Sequence, residues 1–218
     1  MLVNLIFLGP PGAGKGTHAK VVCEKYGVQQ LAAGDILRKN VKEGTSLGVQ
    51  AKAVMERGGL VSDELVNNMM FDEILALKSS KGFILDGYPR TIVQAEALKK
   101  FFAREKIALT AVINFMAPEE VLVDRLSGRR GCPKCGKIYH ARNMPPKKDG
   151  ICDVDGEKLT TRKDDEPETI RHRLKVYHES TKPLVEFYRK TGLLHDIPAG
   201  GDAPSVQKVL EKFFEKIL

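Results

Sequence analysis

The sequence predicts an α/β protein, a parallel sheet flanked by helices, and three observations carry that expectation. Short, mainly apolar runs alternate with stretches of helical periodicity, which implies strands buried on both faces of a parallel sheet. The first apolar run ends in a glycine-rich turn that leads directly into a helix. One segment, Ser127 to about Asp165, loses apolar periodicity altogether and is dominated by glycine, proline, cysteine and charge. The chain has 218 residues, enough for one good core plus a small insertion. With 42% hydrophobic and 29% charged residues it falls in the globular class rather than the disordered or fibrous ones.

The elements follow in order. Leu2 to Leu8 is an apolar run that reads as a buried strand, too short to span a bilayer and without a basic leader, so a cytoplasmic location is expected. Lys15 to Tyr26 is helical, with Ala19, Val22 and Cys23 on one face. Helical signals recur at Asp35 to Glu43, Leu47 to Gly58 and Asp63 to Leu77, the last introduced by the capping sequence Ser62-Asp63-Glu64. A short strand from Gly82 to Leu85 then stops at the polar loop Asp86-Gly87-Tyr88-Pro89.

Thr91 to Arg104 is a further helix and Ala108 to Met116 a strand, and Pro118 to Leu126 opens a helix with proline in its first turn. After the aperiodic insertion come a single long helix from Glu166 to Arg189, a strand from Leu193 to Ile197 and a closing helix from Ser205 to Leu218.

The turn Gly9-Pro-Pro-Gly12-Ala13-Gly14-Lys15-Gly16-Thr17 has the Gly-x4-Gly-Lys spacing of a phosphate loop, in which backbone N–H groups wrap phosphates and the lysine reaches the transferred group. The residue after the lysine, where a strict motif has Ser or Thr to hold magnesium, is Gly16. Magnesium would then be held largely through water and phosphate, with a carboxylate's help.

Cys132-Pro-Lys-Cys135-Gly136 and Cys152-Asp-Val-Asp155-Gly156 repeat one frame, ligand-x-x-ligand-Gly. Sixteen residues separate Cys135 from Cys152, a spacing suited to a structural zinc ribbon with Asp155 as fourth ligand. His140 as the fourth ligand, and a Cys132–Cys135 disulfide, are the alternatives. Cys23 is expected in the core.

The loop GxPGxGKGT resembles the nucleoside monophosphate kinases, the adenylate kinase family above all. The resemblance extends through Gly34-Asp35-x-x-Arg38, Leu60-Val61-x-Asp63-Glu64, Leu85-Asp86-Gly-Tyr-Pro-Arg90-Thr91-x-x-Gln94, Asp124-Arg125-x3-Arg129-Arg130 and Arg162-x-Asp164-Asp165. It implies a P-loop NTPase-like sheet with an NMP-binding helical insertion and a small zinc-bearing lid. The expected division is core at 1–31, 62–127 and 166–218, an NMP-binding segment at 32–61 and a lid at 128–165.

It further implies ATP, AMP and ADP as ligands, transfer of the terminal phosphoryl group of ATP to AMP, and magnesium as well as zinc. Lys15, Arg90, Arg129, Arg162 and Arg173 would be catalytic. Gly12, Ala13, Gly14, Gly16, Thr17, Arg125, Ile138, Tyr139 and Gly201 would join Lys15 and Arg129 around ATP. Ala33, Arg38, Gly59, Leu60, Val61, Gly87, Tyr88, Pro89 and Gln94 would join Arg90, Arg162 and Arg173 around AMP, and Asp86 would face the water shell of magnesium.

Ala33 departs from the family, which usually carries Thr or Ser there, and Gly59 brings no side chain to the segment beside it. Taken singly, Arg38, Arg130 and Arg171 also read as solvated helix positions. The net charge of +7 would suit a nucleic-acid partner as well as nucleotides, but there is no tryptophan and the lid offers only Tyr139 for stacking. A monomer without nucleic-acid or membrane partners is expected. The five histidines form no nucleophile–base set.

Overall fold

A computed structural model describes residues 2–77 and 81–217. Its centre is a five-stranded parallel sheet built from β1 (Val3–Leu8), β2 (Gln29–Ala32), β3 (Gly82–Asp86), β4 (Ala111–Met116) and, last in sequence, β7 (Leu194–Pro198). The spatial order is β2-β3-β1-β4-β7. In register, Phe7 lies beside Asp86 and Leu8 beside Asn114, so the polar strand ends gather along one edge.

Alternation along each strand sends side chains to opposite faces. Val3, Leu5 and Phe7 of β1 join one core with α1 (Lys15–Tyr26), α6 (Glu119–Ser127), α7 (Pro167–Val176) and α9 (Ala203–Ile217). Ile6 and Leu8 join the other with α2 (Ala33–Glu43), α3 (Ser46–Glu56), α4 (Asp63–Leu75), α5 (Ile92–Arg104) and α8 (Pro183–Arg189). Apolar burial of this kind is the dominant favourable term in folding.

Three expectations are corrected. The edge strand β2 was not anticipated, because Gln29 and Gln30 are polar and the strand is only four residues long. The expected helix from Glu166 to Arg189 is interrupted: α7 ends at Val176, a π turn spans Tyr177–Thr181, and α8 begins at Pro183. A proline inside a helix removes one backbone donor and crowds the carbonyl four residues back, so the ladder has to break near it.

The hydroxyl of Ser62 makes no capping bond to α4, whereas Thr91 caps α5 by accepting from Gln94 N at 3.1 Å. The expected end of α9 at Leu218 lies outside the described residues. Among them, no helix is long and apolar enough to cross a membrane.

The aperiodic insertion carries the short antiparallel pair β5 (Arg129–Gly131) and β6 (Ile138–His140), with further bridges Gly131–Thr160 and Ile151–Lys158. Its buried apolar cluster is only Cys132, Tyr139, Cys152 and Leu159.

Candidate active site

The carboxyl ends of the parallel strands open onto a cavity of about 1300 Å³, lined by the β1–α1 loop, α2, the 58–61 segment, the loop after β3, β6 and α7. Such a crevice is where open α/β sheets bind ligands. Gly12 takes φ 85°, and a Cβ there would stand 2.9 Å from Leu122 O, so only glycine fits this turn. The Nζ of Lys15 folds back and donates to Gly9 O at 2.8 Å and Pro10 O at 2.9 Å. Its pKa is lowered to about 8, chiefly by burial and further by Arg90, Arg173 and Arg129, with Asp86 acting in the opposite sense. All three arginines line the same cavity as the lysine.

Asp86 closes the floor of the cavity at the end of β3. Its Oδ2 accepts from Gln30 Nε2 at 2.9 Å, so the unanticipated strand β2 positions the carboxylate. Burial raises the Asp86 pKa, against the pull of Lys15. A Cβ on Gly16 would lie 3.1 Å from the same oxygen. The departure from Ser/Thr after the lysine thus leaves room beside Asp86, as a cation held through its water shell requires.

The arginines reach the cavity from separate elements. Arg90 follows β3, and its Nε donates to Gly87 O at 2.8 Å. Burial, with repulsion from Arg173, lowers its pKa to about 10. Arg129 at the start of β5 makes a paired contact with Asp165, Nε to Oδ2 at 2.7 Å and Nη2 to Oδ1 at 2.5 Å. Arg173 on α7 shares that carboxylate at 2.9 Å and also pairs with Asp164 Oδ2 at 2.9 Å.

Arg162 lies 3.6 Å from Asp35, which also holds Arg38 at 2.5 Å. Burial, followed by the charges of Arg38 and Arg129, lowers the Arg162 pKa to about 10. Arg171 pairs with Glu168 on the surface, whereas Arg173 lines the cavity. Arg130 likewise turns aside, donating to Ser127 O and Arg129 O.

Arg125 donates to Ala199 O at 2.8 Å and Gly201 O at 2.5 Å, tying α6 to the 199–202 loop that lines the cavity beside Ile138. Ala33, Arg38, Gly59, Leu60, Val61, Gly87, Pro89, Gln94 and Thr17 also line it. Gln94 is nearly enclosed, with Oε1 accepting from Arg90 N at 2.7 Å and Nε2 donating to Asp63 at 2.8 Å. Two expected residues turn their side chains elsewhere. Ala13 packs into the core, the hydroxyl of the buried Tyr88 donates to Asn67 Oδ1 at 2.6 Å, and neither residue lines the cavity. Tyr139 belongs as much to the small core of the insertion, its hydroxyl accepting from Asp153 N at 2.7 Å.

The sequence reading overlooked the acids that hold these arginines. Asp35, Asp164 and Asp165 all stood within quoted motifs, but a search for phosphate-binding cations passes over their counter-charges.

In the insertion, one ligand atom each from Cys132, Cys135, Cys152 and Asp155 lies within 4.8 Å of all the others. The two knuckles share their turn geometry. Gly136 N donates to Cys132 O and Gly156 N to Cys152 O, both at 3.0 Å, and the glycines take φ 70° and 71°. Amides of Lys134 and Cys135 point at Cys132 Sγ at 3.4 Å, and that of Val154 at Cys152 Sγ at 3.5 Å. The set fits a tetrahedral metal, for which Zn–S bonds of ~2.3 Å imply sulfurs about 3.8 Å apart, near the 3.5 Å between Cys135 and Cys152.

All four cysteines are free thiols. His140 is engaged elsewhere: its Nδ1 accepts from Arg142 N and Asn143 N, which leaves Nε2 to donate to Asp124 O at 3.2 Å.

A phosphate loop between β1 and α1, sharing one cavity with arginines from several other segments, defines a P-loop protein built to hold phosphate chains. A model of the adenylate kinase family matches residues 7–193. The adenylate kinase of Archaeoglobus fulgidus is 48% identical over 215 residues, 99% of each chain. That of Thermotoga neapolitana is 51% identical over 195 residues, 89% of each chain. That of Caldanaerobacter subterraneus subsp. tengcongensis is 43% identical over 216 residues, 99% of this chain and 96% of the other. The chain belongs to the adenylate kinase family.

Proposed function

We propose that the protein transfers the terminal phosphoryl group of magnesium–ATP directly to AMP, giving two ADP, and so balances the adenine nucleotide pool. The observation that carries this is the convergence of Lys15, Arg90, Arg129 and Arg173 on one cavity large enough for two nucleotides. Two phosphate chains repel each other, so the protein has to cancel charge, align donor with acceptor and exclude water.

Lys15 would exchange the Gly9 and Pro10 carbonyls for phosphate oxygens of ATP. Arg38 and Arg90 would hold the AMP phosphate, and Arg129, Arg162 and Arg173 would stabilise the charge of the group in transit. Asp164 and Asp165 keep Arg129 and Arg173 side by side against their mutual repulsion, which presents a preset cationic fork. Asp86 would face the cation that accompanies ATP. No covalent intermediate is needed, because positioning and charge supply the catalysis.

The segments 32–61 and 128–165 act as the AMP-binding unit and the lid. Cys132, Cys135, Cys152 and Asp155 would hold zinc, which when bound supplies the cross-links that a lid of fewer than 40 residues cannot replace with apolar burial. The protein works as a cytoplasmic monomer, with no nucleic-acid or membrane partner.

The test is to offer magnesium–ATP with AMP, GMP, CMP or UMP and measure the diphosphates formed. Appreciable turnover with AMP alone is expected, and a preference for another monophosphate would overturn the reading. Lys15→Ala should lower turnover at least ~100-fold with the fold intact, since the loop lysine contacts the transferred group.

A further inference from the structure

The break in the long helix after the lid has a structural product. From Arg173, an unbroken α-helix turns about 100° per residue, so a residue seven positions on, Ser180, would come back nearly into line and Thr181 would stand about 80° away. The π turn adds one residue to that circuit, with Lys182 N donating to Tyr177 O at 2.8 Å. Every later residue is set back by one place, and Thr181 falls within about 20° of Arg173. The cavity wall follows this altered register: it is lined by Arg173, Val176, Tyr177 and Thr181.

Thr181 is 8% exposed, and its Oγ1 donates to the backbone carbonyl of Arg90 at 2.8 Å. Arg90 is held by two other bonds from its own neighbourhood, N to Gln94 Oε1 at 2.7 Å and Nε to Gly87 O at 2.8 Å. Of these three, the Thr181 bond alone ties Arg90 to the carboxyl-terminal half of the chain, 91 residues away. The constraint has a use: Arg173 on the same helix repels the Arg90 guanidinium, and the two have to stay close for both to reach phosphate.

We propose that the π turn is a register device that brings the Thr181 hydroxyl under Arg90, making Thr181 a positioning residue for the arginine that holds the acceptor phosphate. The inference rests on the AMP-to-ADP reading above. The Thr181 hydroxyl proton is spent on the Arg90 carbonyl. This bond fixes the backbone from which Arg90 reaches, and it links that backbone to the helix bearing Arg173.

The experiment compares Thr181→Val, which keeps the shape and loses the donor, with Thr181→Ser, which keeps the donor. In Thr181→Val, kcat/KM for AMP should fall about five- to tenfold, the scale of one buried hydrogen bond, while KM for ATP stays within about twofold. Thr181→Ser should recover kcat/KM for AMP to within about twofold of the parent. In an Arg90→Ala background, Thr181→Val should change the residual kcat/KM for AMP by less than about twofold, because its route of action is gone.

Normal AMP kinetics in Thr181→Val, equal losses for ATP and AMP, no recovery in Thr181→Ser, or a full further loss in the Arg90→Ala background would each overturn the proposal. If Thr181→Val does not fold, Thr181→Cys, with its weak donor, should show about a threefold loss confined to AMP, and an unchanged value overturns the proposal equally. A parent enzyme that fails to use AMP would instead refute the functional reading, so the two failures remain distinct.

Discussion

Phe7, Phe115 and Phe214 are fully buried on one face of the sheet, and Met70, Leu85 and Tyr88 on the other, whereas the buried apolar cluster of the lid is Cys132, Tyr139, Cys152 and Leu159. Both regions have to fix arginines in space. The core does so by apolar burial on two layers, and the lid does so with two knuckles whose backbone amides face a common set of thiols and a carboxylate. Where a segment must move as one body over a cavity, a cross-link at its centre gives rigidity without a large apolar surface that would be exposed whenever it opened.

The largest expected effect comes from breaking that difference at the lid. Removing the metal with a chelator, or substituting Cys152→Ser, should unfold the lid and leave the core intact. Activity should fall at least ~100-fold, since Arg129 and Arg162 are then no longer delivered together. Limited proteolysis should cut within 132–158, and a separate low-temperature transition should appear in calorimetry. Metal content below half an atom per chain in the untreated protein, or full metal content in Asp155→Ala, would sink the assignment.

The reverse experiment removes burial from the core. Phe115 is fully buried, and its ring lies 5.0 Å from that of Phe7. Phe115→Ala should lower global stability by about 3–5 kcal/mol, the usual cost of an aromatic cavity. Denaturant unfolding should report this as a shift of the main transition, with the proteolytic pattern of the lid unchanged. A lid-specific effect would contradict the separation.

A smaller effect separates the two regions by pH. The Lys15 pKa is lowered to about 8, chiefly by burial. Its folded value lies below the ordinary 10.5, so the cost of burying the charge is fully present below pH 8 and lifts as pH rises towards 10.5. In the role proposed for it, Lys15 would bind phosphate only in the protonated form. Hence kcat/KM for ATP should fall as pH rises through about 8, and kcat should fall only at higher pH, because bound phosphate raises the lysine pKa. Initial rates across pH 6 to 10 check this; a flat profile for kcat/KM would place the lysine outside the binding step.

Legibility differed between the regions for physical reasons. Core strands such as Val3–Leu8 announce themselves because both faces are buried, and the phosphate loop because its backbone demands glycine at fixed places. The lid was legible through its repeated ligand-x-x-ligand-Gly frame, which the matching bonds of Gly136 and Gly156 reproduce. The edge strand at Gln29–Ala32 and the π turn at Tyr177–Thr181 were not, since the first has polar residues and the second shifts register without altering composition. The acids Asp164 and Asp165 were visible but unassigned, because a pairing across the fold leaves no local spacing to read.

The smallest predicted effect concerns two helix starts that look alike in sequence. Ser62 precedes α4 and Thr91 precedes α5, and both residue types suit an N-cap. Only Thr91 accepts from its helix, and its own hydroxyl donates to Asp63 Oδ1 at 2.9 Å, an oxygen that Gln94 Nε2 also reaches at 2.8 Å. Asp63 is therefore diverted from the start of α4 to bind the start of α5, and the cavity-lining Gln94 depends on that junction. Thr91→Ala should cost about 1–2 kcal/mol and Ser62→Ala less than about 0.5 kcal/mol, measured by urea unfolding. Equal costs would mean that the carboxylate of Asp63 serves both helices, and that the acceptor side of the cavity is fastened less firmly to α5 than these bonds imply.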